Sequence, residues 1–182
     1  MSKYLDISMQ RISTLDSRLI PSAMRVFEKC YKNKVPIYIV WGTRSNEQQE
    51  LLYRCGRTIP GIVQTTRRAG YSAHNYGLAL DFCLLFNTEI LSWEEVYPRW
   101  YWRQKWLRAV MYFEEEGWTS KWRGSDFEPG HLENLMGKDI FEYMREANEE
   151  KTIGELKDEQ DYNRSSGIQN LGEQSQDQNL FI

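Results

Sequence analysis

This 182-residue chain has only two histidines, and each lies in a short run whose neighbours could hold a metal. The first run is Ser72-Ala73-His74-Asn75-Tyr76-Gly77-Leu78-Ala79-Leu80-Asp81, and the second is Glu128-Pro129-Gly130-His131. Zinc takes neutral imidazole nitrogen and carboxylate oxygen as ligands, and a catalytic zinc site uses three protein ligands with a fourth position left to water. His74, Asp81 and His131 make such a set. Glu128, three residues before the last ligand, is placed to stand beside that water as general base. A lone histidine is most often structural or exposed, so the weight falls on the joint pattern.

Ligands this far apart in sequence need a scaffold that brings them together. Ile20, Ala23, Met24, Phe27, Cys30 and Tyr31 recur at helical spacing, which predicts a helix over 18–32 with Pro21 in its first turn. Val35 to Trp41 reads as the first strand, rich in β-branched and aromatic residues. Ser45 followed by Gln48 has the form of a capping box, so a short helix carrying Gln49, Leu52 and Tyr53 starts there and Arg44 falls at the strand-to-helix junction. From Gly56 to Tyr71 the composition turns to Gly, Pro, Thr and Arg, a long loop beside the cleft.

Leu78 to Leu85 reads as a buried strand. Alternation sets Leu78, Leu80 and Phe82 on one face and Ala79, Asp81 and Cys83 on the other, so Asp81 points into the cleft next to a small residue. A variable connection through Trp93 and Tyr97 follows. Trp106, Ala109, Val110 and Phe113 then predict a second amphipathic helix, stopped by Gly117. Strands within Trp118–Glu133 present Glu128 and His131, and Ile140, Phe141, Met144 and Ala147 mark a closing helix.

The fixed positions of the first run, Ser-x-His-x-x-Gly-x-Ala-x-Asp, with an acid three residues before a distant His, resemble the LAS-type zinc peptidases. That group includes D-alanyl-D-alanine carboxypeptidases, vancomycin-resistance dipeptidases and the L-alanyl-D-glutamate endopeptidases of phage lysis. Arg44-Ser45, Gln49, Leu52-Tyr53 and Gly56-Arg57 look like the corresponding segment of the phage-type endopeptidases. The resemblance covers about residues 17–147. It implies an α+β fold of the LAS/hedgehog type, a small, mainly antiparallel sheet flanked by helices. It also implies zinc on His74, Asp81 and His131, Glu128 as base, Arg44 stabilising the substrate oxyanion, and Ser72 and Gln49 as substrate contacts.

The activity so implied is cleavage of a peptidoglycan stem peptide at the L-alanyl-D-glutamate bond. D-alanyl-D-alanine carboxypeptidase or dipeptidase action is the alternative, and a non-catalytic zinc-containing binding or structural module of the hedgehog kind a further one. Two departures stand out. Relatives carry Pro directly before the final His, where this chain has Gly130 after Pro129. Gly124-Ser125-Asp126 also lengthens the interval after Trp122, which makes Asp126 the fallback base.

Composition sets further bounds. A hydrophobic content of 41% suits one core, so residues 1–147 are read as the peptidase domain. The 35 residues from Asn148 to Ile182, polar and poor in large apolar side chains, are expected to form a disordered tail. A net charge of -3 and scattered basic residues argue against nucleic acid. Arg99, Arg103, Lys105 and Arg108 read as a solvated helix face, and the tryptophans as core.

Cys30, Cys55 and Cys83 lack metal-type spacing and read as free thiols, with Cys83 a small buried residue and not a ligand. No secretory signal or membrane-length apolar run is present, so a cytoplasmic monomer is expected. It would meet the wall after release through a membrane lesion, as phage lysins do, or on a virion.

Overall fold

The computed structural model describes residues 2–121 and 128–165. Its centre is an antiparallel sheet built on β2 (Ala79–Phe86), the strand that carries Asp81. On one side β2 pairs with β1 (Ile37–Trp41), Ile37 opposite Leu84 and Trp41 opposite Asp81. On the other, its first half pairs with β5 (Glu128–Glu133) and its second half with β3 (Glu89–Leu91), which folds back through a tight turn. β4 (Thr119–Lys121) completes the order β1-β2-β5-β4. The expected α+β class with a small antiparallel sheet is what the chain forms.

The predicted alternation along β2 is present. Leu80, Phe82 and Leu84 are buried against α2 (Ile20–Lys32) and α5 (Trp100–Glu115), which contribute Ala23, Val26, Phe27, Cys30, Trp106, Ala109, Val110 and Phe113. The Phe82 ring lies 4.7 Å from that of Trp106 and 6.1 Å from that of Phe113. Trp93, at the start of α4 (Trp93–Val96), and Trp118 join the same cluster, so these tryptophans are core. Trp100, at 68% exposure, is not. With the apolar face of β2 committed to the helices, its opposite face is left for the polar residues of the site.

Among the described elements, β3, α4, the 3-10 turn Ala73–Tyr76 and α1 had no counterpart in the sequence reading. Of these, α1 (Ser2–Ile12) lies along the edge strand β1 and satisfies the outward backbone groups of Ile39. Ser8 Oγ accepts from the Ile39 amide at 3.1 Å, and the Arg11 guanidinium donates to the Ile39 carbonyl at 2.6 Å and to the Tyr38 hydroxyl at 2.8 Å. An open edge is thereby closed to pairing with another chain. Tyr4, Leu5, Ile7, Met9 and Ile12 lie on this helix, with Ile12 fully buried in the core, but its hydrogen bonds to Ile39 are visible only beside the strand it covers.

The polar segment that begins at Asn148 is helical over 148–165. The last helix, α6 (Ile140–Ser165), runs well past Ala147, and the chain's contacts divide it between Tyr143 and Met144. Lack of apolar residues prevents burial, but Glu, Lys and Leu are strong helix formers, and Lys151 and Glu155 pair one turn apart at 3.7 Å. Leu180-Phe181-Ile182 lies outside the described residues.

Candidate metal centre

His74 sits in a single turn of 3-10 helix, Ala73–Tyr76, that ends on Gly77 in a left-handed conformation (φ 70°). Side chains other than glycine rarely adopt that conformation, and a Cβ here would also come within 2.6 Å of the Asp16 amide nitrogen. The turn is tied down from three directions. Asn75 Oδ1 accepts from the Gly70 and Ser72 amides, Asn75 Nδ2 donates to the Arg44 carbonyl, and the Arg44 amide donates to the His74 carbonyl at 3.0 Å. The imidazole is 1% exposed. Its Nδ1 lies 2.7 Å from the Gly42 carbonyl oxygen, a pure acceptor, so Nδ1 carries the proton and Nε2 presents a lone pair to the cleft.

Asp81 and His131 are directly opposed across β2 and β5. His131 Nδ1 lies 3.0 Å from Asp81 Oδ1 and 3.3 Å from His74 Nε2, and His74 Nε2 lies 3.3 Å from Asp81 Oδ2. The three ligand atoms fall within 4.8 Å of one another. Two imidazole nitrogens and one carboxylate oxygen facing a common point form a donor set that fits zinc. Each ring's far nitrogen is engaged, His74 by Gly42 and His131 by Glu133, as is usual for metal-binding histidines.

Arg44, 8% exposed, joins this group through an ion pair between its Nη2 and Asp81 Oδ2. Its Nη1 donates to Gln49 Oε1 at 3.2 Å, whereas the buried Nε has no partner among the described residues. A buried N–H without an acceptor is costly, and a substrate oxygen would supply one. Gln49, expected to touch substrate, is fully buried in α3 (Asn46–Arg54), whose N-terminal capping box on Ser45 is formed as read. Its amide is spent internally, Oε1 on Arg44 and Nε2 on the Arg67 carbonyl at 2.8 Å. Gln49 thus holds the arginine and anchors the 56–71 loop to it. Ser72 is also buried, at the head of the turn carrying His74.

Glu128 opens β5 on its exposed side, opposite Lys121, and its charge is felt at both Arg44 and His131. Between Ser120 and Lys121 the partner on β5 jumps from Leu132 to Glu128, so Pro129, Gly130 and His131 bulge away from β4. The Trp106 indole N–H fixes this bulge by donating to the Pro129 carbonyl at 3.0 Å. Gly130 lies against β2 so closely that a Cβ would come within 2.6 Å of the Phe82 carbonyl oxygen. Its departure from the family pattern thus has a packing reason. Gly130→Ala is expected to destabilise the protein by about 1–3 kcal/mol and to weaken metal binding, because the displaced strand carries His131. Calorimetric melting with and without a chelator checks both effects. The alternative base, Asp126, lies outside the described residues.

Burial disfavours the charged form of Asp81, but the flanking His74 and His131 imidazoles outweigh it and hold the carboxyl well below the usual range. Burial also lowers the affinity of Arg44 for its proton, while Asp81 and Glu128 oppose that. Cys83, on the site face of β2 but outside the ligand cluster, has its thiol pushed up to about 11, chiefly by burial. Sequence reasoning missed Gly42, whose carbonyl sets the His74 tautomer, and Asn75, Trp106 and Glu133. Only Glu133 left a signal, its position two residues past His131 on a predicted strand.

His74, Asp81 and His131 form a candidate metal centre. A family model described as D-alanyl-D-alanine carboxypeptidase matches residues 65–133, a stretch that contains His74, Asp81, Glu128 and His131. The chain is also 35% identical over 104 residues, 56% of its length, to the peptidoglycan L-alanyl-D-glutamate endopeptidase CwlK of Bacillus subtilis (strain 168). It covers 62% of that relative, about three fifths of its length. Among solved structures, the L-Ala D-Glu endopeptidase ChiX of Serratia marcescens aligns with a TM-score of 0.48 at 18% identity, over 71% of this chain and 87% of that one. The vancomycin-resistance D,D-dipeptidase VanXYg, in complex with a D-Ala-D-Ala phosphinate analogue, aligns with a TM-score of 0.45 at 19% identity, over 72% of this chain and 58% of that one. The resemblance to LAS-type zinc peptidases read from the motifs is matched by these sequence relatives.

Proposed function

We propose that the protein is a zinc-dependent peptidase that hydrolyses a peptidoglycan stem peptide, with the L-alanyl-D-glutamate bond as its target. The observation that carries this reading is the convergence of His74 Nε2, Asp81 and His131 Nδ1 beside a buried arginine and a glutamate whose charge reaches both. His74, Asp81 and His131 hold the ion. Zinc supplies Lewis acidity, which makes water acidic enough to lose a proton near neutral pH and polarises a carbonyl. Glu128 accepts the proton of the attacking water and returns it to the leaving amine as the C–N bond breaks. Arg44, pinned by Asp81 and Gln49, donates to the carbonyl oxygen as negative charge develops there. Ser72 contacts the substrate at the head of the His74 turn.

The choice of bond is supported by the CwlK relative, and the D-alanyl-D-alanine alternative by the description of the matching family model. Mass spectrometry of muropeptide products separates them. Cleavage between L-alanine and D-glutamate is expected, and release of terminal D-alanine alone would overturn the assignment. Among the described residues no helix is long and apolar enough to cross a membrane. Access to the wall through a membrane lesion, or from a virion, is supported by the resemblance to phage lysins alone. Residues 1–147 are proposed as the catalytic unit, so truncation after Ala147 is expected to leave hydrolysis of a soluble muropeptide within about twofold of the full chain.

Metal uptake is expected to release a proton. Burial disfavours charge on His131, but hydrogen bonds to Asp81 and Glu133 outweigh it and push the imidazole up to about 9 in the metal-free protein. Proton and metal compete for Nδ1, so apparent affinity rises about tenfold per pH unit below about 9 and levels off above it. Titration calorimetry at pH 7 in buffers of different ionisation enthalpy should show about one proton released per ion bound. The same raised value stabilises the chelator-stripped fold fully below the ordinary 6.5, a contribution lost as pH rises through about 9.

A further inference from the structure

Glu133 follows His131 by two residues on β5, so both side chains leave the same face of the strand. Their partners across β2 are Ala79 and Asp81, respectively. The methyl group of Ala79 leaves room beside the Asp81–His131 pair, and Glu133 Oε2 lies 3.3 Å from His131 Nε2 with its side chain only 19% exposed. The other ring nitrogen, Nδ1, faces His74 and Asp81. A conflict is built into that pair. Neutral imidazole has one N–H, and Asp81 Oδ1, 3.0 Å from Nδ1, is an acceptor that favours placing it there. A proton on Nδ1 removes the lone pair that a metal needs.

We propose that Glu133 is a positioning residue that resolves this conflict. Its carboxylate accepts the Nε2–H of His131, holds the proton on the far side of the ring, fixes the ring's rotation and leaves the Nδ1 lone pair for the metal. The inference rests on the zinc reading above and adds to it a residue that reaches the ion only through its ligand. Carboxylates in this relation to a metal-bound histidine contribute about 10- to 100-fold to metal affinity.

The test is zinc affinity by chelator competition, together with nitrogen NMR of the chelator-stripped protein at alkaline pH, where the ring shifts themselves identify the neutral imidazole and its tautomer. Glu133→Ala is expected to bind zinc about 10- to 100-fold more weakly in the same alkaline buffer and to move the His131 proton from Nε2 to Nδ1. Glu133→Gln keeps an acceptor at the same reach and is expected to recover most of the affinity and the Nε2–H tautomer. It also keeps the experiment decisive if the alanine variant fails to fold. Wild-type zinc affinity and tautomer in Glu133→Ala would overturn the inference, as would a glutamine variant as weak as the alanine one. A wild-type protein that takes up no zinc would instead overturn the metal reading itself.

Discussion

Glu128→Gln is expected to leave zinc content and melting temperature close to wild type while lowering turnover of a stem peptide about 10²- to 10⁴-fold, the contribution typical of a positioned general base. The side chain is not among the clustered ligand atoms and stands at the exposed start of β5, so the neutral amide disturbs little packing. What it loses is the ability to take a proton from water and return it to the amine. Rates at saturating substrate, measured beside metal content, separate this loss from a binding defect. Near-wild-type turnover in Glu128→Gln together with an inactive Asp126→Asn would transfer the role to Asp126. If both variants remain active, hydrolysis by this site is refuted.

His74→Ala should have the larger structural effect. The imidazole is 1% exposed and spans from the Gly42 carbonyl to the Asp81–His131 pair. Removing it deletes one of three ligands and strands a carbonyl in the interior, at a cost of about 1–3 kcal/mol. Zinc should no longer copurify, and turnover should fall below detection. A ligand that binds only the folded state stabilises it by about 4 kcal/mol at a thousandfold excess over its dissociation constant. The rise in melting temperature on adding zinc should therefore vanish in this variant. If the rise persists, His74 is not a ligand.

The chemistry of the site was more legible in the sequence than its support. His74, Asp81 and His131 could be singled out because metal binding demands particular side chains, and alternation along β2 sufficed to turn Asp81 toward the cleft. Gly42 acts through its carbonyl, which any residue type provides, so no side chain announces it. Gln49 was legible as a position on a short helix, but its bonds to Arg44 and to the Arg67 carbonyl depend on what surrounds it after folding. The extent of α6 was missed for a different reason. Hydrophobic composition decides whether a segment can be buried, but backbone propensity and pairs such as Lys151–Glu155 decide whether it can be helical. α1 shows the same limit, because its service to β1 is a matter of backbone groups left open by the sheet.

The spacing of the ligands along the chain also dictates an order of assembly. His74 and Asp81 belong to one short stretch, whereas His131 lies 50 residues beyond Asp81 on a strand that must enter between β2 and β4. A growing chain that has reached β2 offers only two donors, a weak trap for an ion. The third arrives when the sheet is nearly complete. Because loop-closure entropy grows only by about 0.6 kcal/mol per doubling of length, sheet pairing can bring β5 home without the ion's help. Metal capture would then be the last step of maturation, and a chelator should loosen β5 from β2 before it disturbs β1.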